Sequence, residues 1–279
     1  MEKATDWLLL WRQIVERQRT VEPVTEGPWS EEDDPWREKA EAFVTRANRK
    51  WSRPDPLRDF LASRVRPDAM VLDIGAGAGD WSIYLAPRVG RVTAFDPSPA
   101  MRRTIIGRVA SAGLANVDVV AGFWPKTPVE PHDVVLCMHA VYGATDFAAY
   151  VRRLDATARR GVYLLLKAPI PGGVMAEAAE RVWGQPHDSP NFVVAYNALL
   201  QLGFLPSAMV DPSPWGIWRS TSLDAALDDV KRRLAIVGDP THDAFLRDLL
   251  ARRLTRIGDE YVWPASVCSA LVYWEKDRT

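Results

Sequence analysis

The chain has 279 residues, of which 47% are apolar and 25% charged, with a formal net charge of −1. That balance belongs to a globular protein of one or two domains, and it gives no global attraction to nucleic acid or to an anionic membrane. Two cysteines, Cys137 and Cys268, stand far apart in apolar runs, so they form no disulfide framework and no metal spacing and read as buried thiols of a reducing compartment.

Near the N-terminus, Trp7, Leu8, Trp11, Ile14 and Val15 recur at helical spacing. The apolar run 7–11 follows acids at Glu2 and Asp6 and is too short for a signal sequence or a membrane span, so the expected location is cytoplasmic. A Pro-, Gly- and acid-rich loop is expected over 21–35, a second helix over 36–48 and a third over 57–65. From residue 67 the pattern alternates. Strands are expected at 69–74, 91–96, 117–121, 133–139 and 161–167, with helices from 81 and over 99–112 and 147–158 between them. Strand, helix, strand at this period means parallel pairing with right-handed crossovers. Beyond 168 come helices over 174–183 and 192–202, a strand over 207–218 interrupted by Pro212 and Pro214, charged helices over 223–236 and 241–257, and a last strand over 267–274. The chain carries no internal repeat and no low-complexity segment.

The stretch Val71-Leu72-Asp73-Ile74-Gly75-Ala76-Gly77-Ala78-Gly79-Asp80 is a buried strand running into a glycine-rich turn and a helix. Glycines at alternate positions permit positive φ and close approach of a ligand to the backbone. A second acid, Asp96, ends the next strand about 20 residues on, where a doubly wound sheet offers an acceptor to a ribose hydroxyl. The glycines alone leave open a dinucleotide or another nucleoside cofactor. Asp80 occupies the place of the last glycine in the dinucleotide fingerprint, and both Asp73 and Asp80 would repel a pyrophosphate but attract an ammonium.

This set, with Pro97, Ser98 and Met101 after the second acid, resembles class I S-adenosylmethionine (SAM) methyltransferases. The resemblance implies an α/β fold with a seven-stranded, mostly parallel Rossmann-like sheet. It also implies an N-terminal helical lid over 1–66 and a SAM-binding domain over 67–279 with a helical insertion at about 219–260. By the same resemblance Asp73, Gly75, Ala76, Gly77 and Gly79 lie against the methionine part of SAM, and Asp96 takes the ribose hydroxyls. Pro97, Ser98 and Met101 would flank the adenine. The family's usual Gly-Asp after strand three is here Gly122-Phe123-Trp124, which leaves the Phe123 backbone and aromatic packing for the base. By the same resemblance Met138, near the end of strand four, would lie beside the sulfonium, and His139 and Tyr142 are candidate catalytic residues, His139 as a base because imidazole titrates near neutrality. His187-Asp188 is a second candidate pair, while His132 and His242 are expected at the surface.

The function so implied is methyl transfer from SAM to a small-molecule acceptor by in-line SN2, with S-adenosylhomocysteine as product. RNA or protein as acceptor, a SAM-binding protein without transferase activity and a nicotinamide-dependent oxidoreductase are the other readings. No membrane or metal partner is expected, nucleic acid is disfavoured by the charge balance, and a homodimer is left open.

Overall fold

The computed structural model describes residues 5–21, 27 and 29–276; the expected loop at 21–35 therefore falls partly outside the described residues. The chain divides into two compact units. One comprises residues 24–165, 205–209 and 271–279; the other comprises 1–23, 166–204 and 210–270.

The first unit is built on a seven-stranded sheet. Its strands are β1 (Met70–Ile74), β2 (Arg91–Asp96), β3 (Val117–Ala121), β4 (His132–Met138), β5 (Ala158–Pro169), β6 (Ser207–Asp211) and, last in the chain, β10 (Val267–Glu275), in the order β3-β2-β1-β4-β5-β10-β6. The pairs β1–β2, β1–β4, β2–β3 and β4–β5 are parallel. Strands β1 and β4 are almost wholly buried. That burial follows from helices covering both faces of a parallel sheet, and it explains why these segments read as continuous apolar runs. The chain reverses its direction of travel across the sheet between β1 and β4, so the crevice that receives a ligand opens at the carboxyl ends of those strands.

Helices α2 (Ala40–Trp51), α3 (Pro56–Arg64), α4 (Asp80–Leu85), α5 (Pro99–Ser111) and α6 (Phe147–Thr157) belong to the same unit. Leu57 and Leu61 of α3 enter the core with Val71, Val92, Leu136 and Leu165. Asp55 caps α3 by accepting from the Leu57 and Arg58 amides. Ile105 and Val109 of α5 pack on Ala94 of β2. Helix α2 begins at Ala40 rather than at Trp36, because the Trp36 amide donates to the Asp34 carboxylate and residues 35–39 form turns ahead of the helix.

The second unit joins α1 (Trp7–Val21) with α7 (Val174–Trp183), α8 (Phe192–Gln201), α9 (Leu223–Arg233) and α10 (Asp243–Arg253). Its core gathers Val174, Met175 and Ala178 of α7, Leu227 and Val230 of α9, Leu246 and Leu250 of α10, and Trp263. A small antiparallel sheet of β7 (Arg219–Ser220), β8 (Thr255–Ile257) and β9 (Glu260–Val262) completes it, in the order β7-β9-β8. Two expectations change here. The last charged helix stops at Arg253, and 255–257 turn back as a strand through a two-residue turn with Gly258 at φ +61°. A three-residue strand is too short to show a period of its own. The strand expected over 207–218 ends at Asp211, since Pro212 and Pro214 lack the amide that a ladder needs. Among the described residues no helix is long and apolar enough to cross a membrane.

Candidate cofactor site

The glycine-rich turn leaves β1 in a left-handed backbone. Gly75, Gly77 and Gly79 have φ of +67°, +57° and +78°. The Gly75 amide donates to the Phe95 carbonyl at 2.8 Å, which ties the turn to the end of β2. A Cβ on Gly75 would lie 2.4 Å from the Ala140 Cβ, and one on Gly79 would lie 3.1 Å from Ile105. The turn is thus wedged between the segment after β4 and helix α5, and only glycine fits both the space and the dihedrals.

Asp96 stands at the end of β2 and is 5% exposed. One carboxylate oxygen accepts from the Gly77 amide at 2.8 Å and the other from the Ser98 amide at 2.8 Å. Each oxygen keeps a lone pair for a further donor, so the carboxylate can still accept from vicinal hydroxyls. Burial pushes its pKa up to about 6 against those two bonds, with Arg102 lowering it and Asp34 raising it. Asp73 is more deeply buried. It accepts from the Ser82 hydroxyl at 2.7 Å, and burial raises its pKa to about 7. Asp80 pairs with Arg108 at 2.8 Å, and Arg108 also donates to the Ala78 carbonyl at 2.6 Å, so that this arginine clamps the far side of the turn.

Because Asp73 binds its proton more tightly folded than unfolded, its contribution to stability is complete at low pH and is lost as pH rises through about 7. Asp73→Asn is therefore expected to melt above the wild type at pH 8, by more than at pH 5, with the difference vanishing only below the ordinary carboxylate value of 3.8. Thermal melts of the two proteins at both values check this, and a difference independent of pH would refute it.

The Ser98 hydroxyl has two roles unrelated to a base edge. It caps α5 by accepting from the Met101 amide at 3.0 Å and donates to the Asp34 carboxylate at 2.7 Å. Ser98 and Met101 are both buried, and Pro97 is half-buried. Trp124 is a core residue: its indole donates to the Tyr150 carbonyl at 3.3 Å and sits edge-on to Phe95. Gly122 lies against the Phe95 ring, where a Cβ would approach to 2.3 Å, and the Phe123 amide donates to the Thr127 hydroxyl at 3.0 Å. Met138 is 8% exposed at the end of β4.

His139 and Tyr142 come together. The His139 Nδ1 is 2.9 Å from the Tyr142 hydroxyl, and the rings lie 25° from parallel. His139 adopts φ +59°, unusual for a residue with a side chain, while its amide donates to Leu165 across the sheet. Such backbone strain costs about 1–2 kcal/mol and concentrates at functional positions. His132, expected at the surface, is instead 4% exposed: its ring nitrogens contact the Thr93 hydroxyl at 2.8 Å and the Glu130 carbonyl at 2.7 Å, satisfying both inside the sheet. His187 and Asp188 lie in the other unit, on the loop between α7 and α8.

The chief contribution unseen in the sequence is the 27–51 segment. Asp34 is 6% exposed and accepts from the Ser98 hydroxyl and from the Ala100 amide at 2.9 Å, capping α5 from 64 residues away. Glu31 pairs with Arg103 of α5. The Phe43 ring lies over the turn, 3.4 Å from where a Gly77 Cβ would be, and Gly27 lies against Phe123. The acidic run 31–34 looks like a solvated loop, and only the fold shows that one of its four carboxylates is buried. Asp34→Ala is expected to cost about 2 kcal/mol, because it leaves the Ser98 hydroxyl and a helix-end amide without this acceptor. Amide hydrogen exchange over 29–51 should accelerate in parallel; unchanged exchange and melting would count against this anchoring.

Residues 71–161 match the sequence model of a methyltransferase domain. By that match, residues 71–161 are a methyltransferase domain. This methyltransferase domain lies wholly within the sheet-bearing unit. The ubiquinone biosynthesis O-methyltransferase of Methylobacterium sp. (strain 4-46) is 33% identical over 110 residues, which cover 37% of this chain. The match spans 42% of that relative's length. Among solved structures, YcgJ of Bacillus subtilis has a TM-score of 0.52 at 15% identity, and a candidate methyltransferase from Bacillus halodurans C-125 has 0.51 at 16%. Each comparison covers 80% of this chain and 99% of the other, and establishes a common fold. In this domain the glycine turn, Asp96 and the His139–Tyr142 pair stand at the carboxyl ends of β1, β2 and β4. Three glycines at positive φ beside a buried carboxylate that retains acceptor capacity fit a nucleoside bearing a vicinal diol, and so fit SAM.

Proposed function

We propose that the protein transfers a methyl group from SAM to a small-molecule acceptor. The observation that carries this reading is Asp96, buried at the end of β2 and held by the Gly77 and Ser98 amides beside the glycine turn. In this reading Asp96 accepts from the ribose hydroxyls. Gly75, Ala76, Gly77 and Gly79 border the amino-acid part of SAM, with Asp73 beneath them. Pro97, Met101 and the Gly122–Trp124 segment border the base, and Met138 the sulfonium. Residues 27–51, bound to α5 and to the turn, form part of the cover that excludes water.

SAM supplies a methyl carbon already activated by a sulfonium. The protein's part is to hold an acceptor atom about 3 Å away in line with the breaking bond and to receive the acceptor's proton where there is one. The His139–Tyr142 pair suits the second task. When Nδ1–H donates to the Tyr142 oxygen, Nε2 is the basic nitrogen. A small acceptor is favoured over RNA by the net charge of −1. The curated relative is named as an O-methyltransferase of ubiquinone biosynthesis, which is in keeping with a small-molecule acceptor.

Isothermal titration with S-adenosylhomocysteine tests the cofactor, and absence of binding at millimolar ligand overturns it. Incubation with methyl-labelled SAM and fractionated cell extract tests the acceptor class. Label appearing in the small-molecule fraction is expected; label confined to RNA or protein overturns that assignment.

A further inference from the structure

Each glycine of the turn faces a different side chain. A Cβ on Gly75 would point at Ala140, after β4, and one on Gly79 at Ile105 of α5. A Cβ on Gly77 would point at Phe43 of α2, lying 3.4 Å from Cε1 and 3.5 Å from Cζ of its ring, with the Gly75 carbonyl next at 4.0 Å. That separation admits a bonded carbon at ordinary contact but no ligand atom, so ring and turn meet directly. A group lying along the turn therefore has Phe43 at its side. Ala140 and Ile105 belong to the alternating strands and helices, whereas Phe43 reaches the turn from the chain ahead of β1 and is no part of the glycine motif.

The ring is held from both directions along the chain. Trp36 meets it edge-on, with centroids 5.5 Å apart and planes at 79°. The Trp36 amide donates to one oxygen of Asp34, whose other oxygen is fixed by Ser98 and Ala100 at the start of α5. Further along α2 the Asn48 side-chain oxygen accepts from Arg108 at 3.4 Å, and the same arginine pairs with Asp80 and donates to the Ala78 carbonyl. The chain is thus fastened to α5 both before and after Phe43. The ring itself remains partly exposed, so it keeps apolar surface to offer a ligand. In the proposed site the amino-acid arm of SAM lies along Gly75–Gly79. That arm joins its charged head to the sulfonium through a pair of methylenes, which gain little from the polar backbone of the turn. An apolar wall is what they require, and burying each methylene contributes about fourfold in affinity.

We propose that Phe43 recognises the aliphatic arm of the cofactor and makes the site selective for adenosyl thioethers that carry it. This assignment rests on the SAM reading, and it adds a specificity-determining residue from outside the sheet.

The test is calorimetric titration of the full-length protein with S-adenosylhomocysteine and with methylthioadenosine, which has the same nucleoside and thioether but no amino-acid arm. Wild type, Phe43→Leu and Phe43→Ala are compared. S-adenosylhomocysteine is expected to bind the wild type at least about tenfold more tightly than methylthioadenosine. Phe43→Ala should lose about tenfold for S-adenosylhomocysteine and less than about threefold for methylthioadenosine. Phe43→Leu, which keeps an apolar wall, should stay within about threefold of the wild type for both ligands. Should Phe43→Ala fail to fold, Phe43→Gln, which keeps a long side chain on the helix but not the apolar wall, carries the same expectation. Equal losses for the two ligands would mean that the ring supports the turn rather than the arm, and would overturn the proposal. Unchanged S-adenosylhomocysteine affinity in Phe43→Ala overturns it too, as does an equal loss in Phe43→Leu and Phe43→Ala. Wild type that binds both ligands equally overturns recognition of the arm while the nucleoside site stands. Binding of neither ligand overturns the cofactor reading itself, and the proposal with it.

Discussion

Asp96→Ala is expected to weaken S-adenosylhomocysteine binding by about a hundredfold, close to 2.7 kcal/mol, because hydrogen bonds to a charged acceptor contribute about 1.5–3 kcal/mol each. The substitution removes the acceptor for the ribose hydroxyls in the proposed site. It also leaves the Gly77 and Ser98 amides without their partner, so the turn itself loosens. Titration calorimetry at pH 8 measures the effect; affinity within threefold of wild type would remove Asp96 from the site. The pKa of about 6 adds a second readout. Hydrogen-bond acceptance from two hydroxyls needs the ionised carboxylate, so affinity in the wild type should rise from pH 5 to pH 8 and level off above the raised pKa. That dependence should flatten in Asp96→Asn, which cannot ionise.

Gly75→Ala is the second large effect. A Cβ there meets the Ala140 Cβ at 2.4 Å, closer than two carbons can approach, and φ +67° adds a left-handed penalty. Overpacking costs about 1–3 kcal/mol and the dihedral about 1–2 kcal/mol. The sum is about 2–5 kcal/mol, which lowers the melting temperature by about 5 °C or more. Relief requires moving either the turn or the residues that carry His139, so cofactor affinity and turnover should fall together. Gly143→Ala serves as the control: its Cβ would meet nothing within 4 Å, and it should melt like the wild type. A Gly75→Ala protein as stable and as tight-binding as wild type would show that the wedge between β1 and the post-β4 segment is not rigid.

The sheet was largely legible because its signals are short in range. Strands β1 and β4 are continuous apolar runs, since both their faces are covered. Gly79 and Asp80 mark the start of a helix, and Gly113 the end of another. Signals failed where pairing or burial is decided from afar. Strands β8 and β9 exist because 255–257 find 260–262 across a turn, and a three-residue strand has no periodicity to read. His132 appears as a polar residue after a proline, and its burial depends on the Thr93 hydroxyl, 39 residues distant. Ser98 fits the motif that borders adenine, yet its hydroxyl is taken up by Asp34 and by the cap of α5.

The residues proposed for the cofactor half of the site are those whose chemistry is local: glycines that alone accept positive φ, and an acid placed at a strand end by the strand-to-helix period. The sequence by itself determined the left-handed turn at Gly75, Gly77 and Gly79 and the acid Asp96 at the end of β2. What surrounds them was settled only in three dimensions. Asp34 is one of four consecutive acidic residues, and nothing in its neighbours distinguishes it from Asp33 until the chain folds it onto Ser98 and Ala100. Backbone conformation is a property of a few adjacent residues, whereas burial and charge balance are properties of whatever the fold brings near.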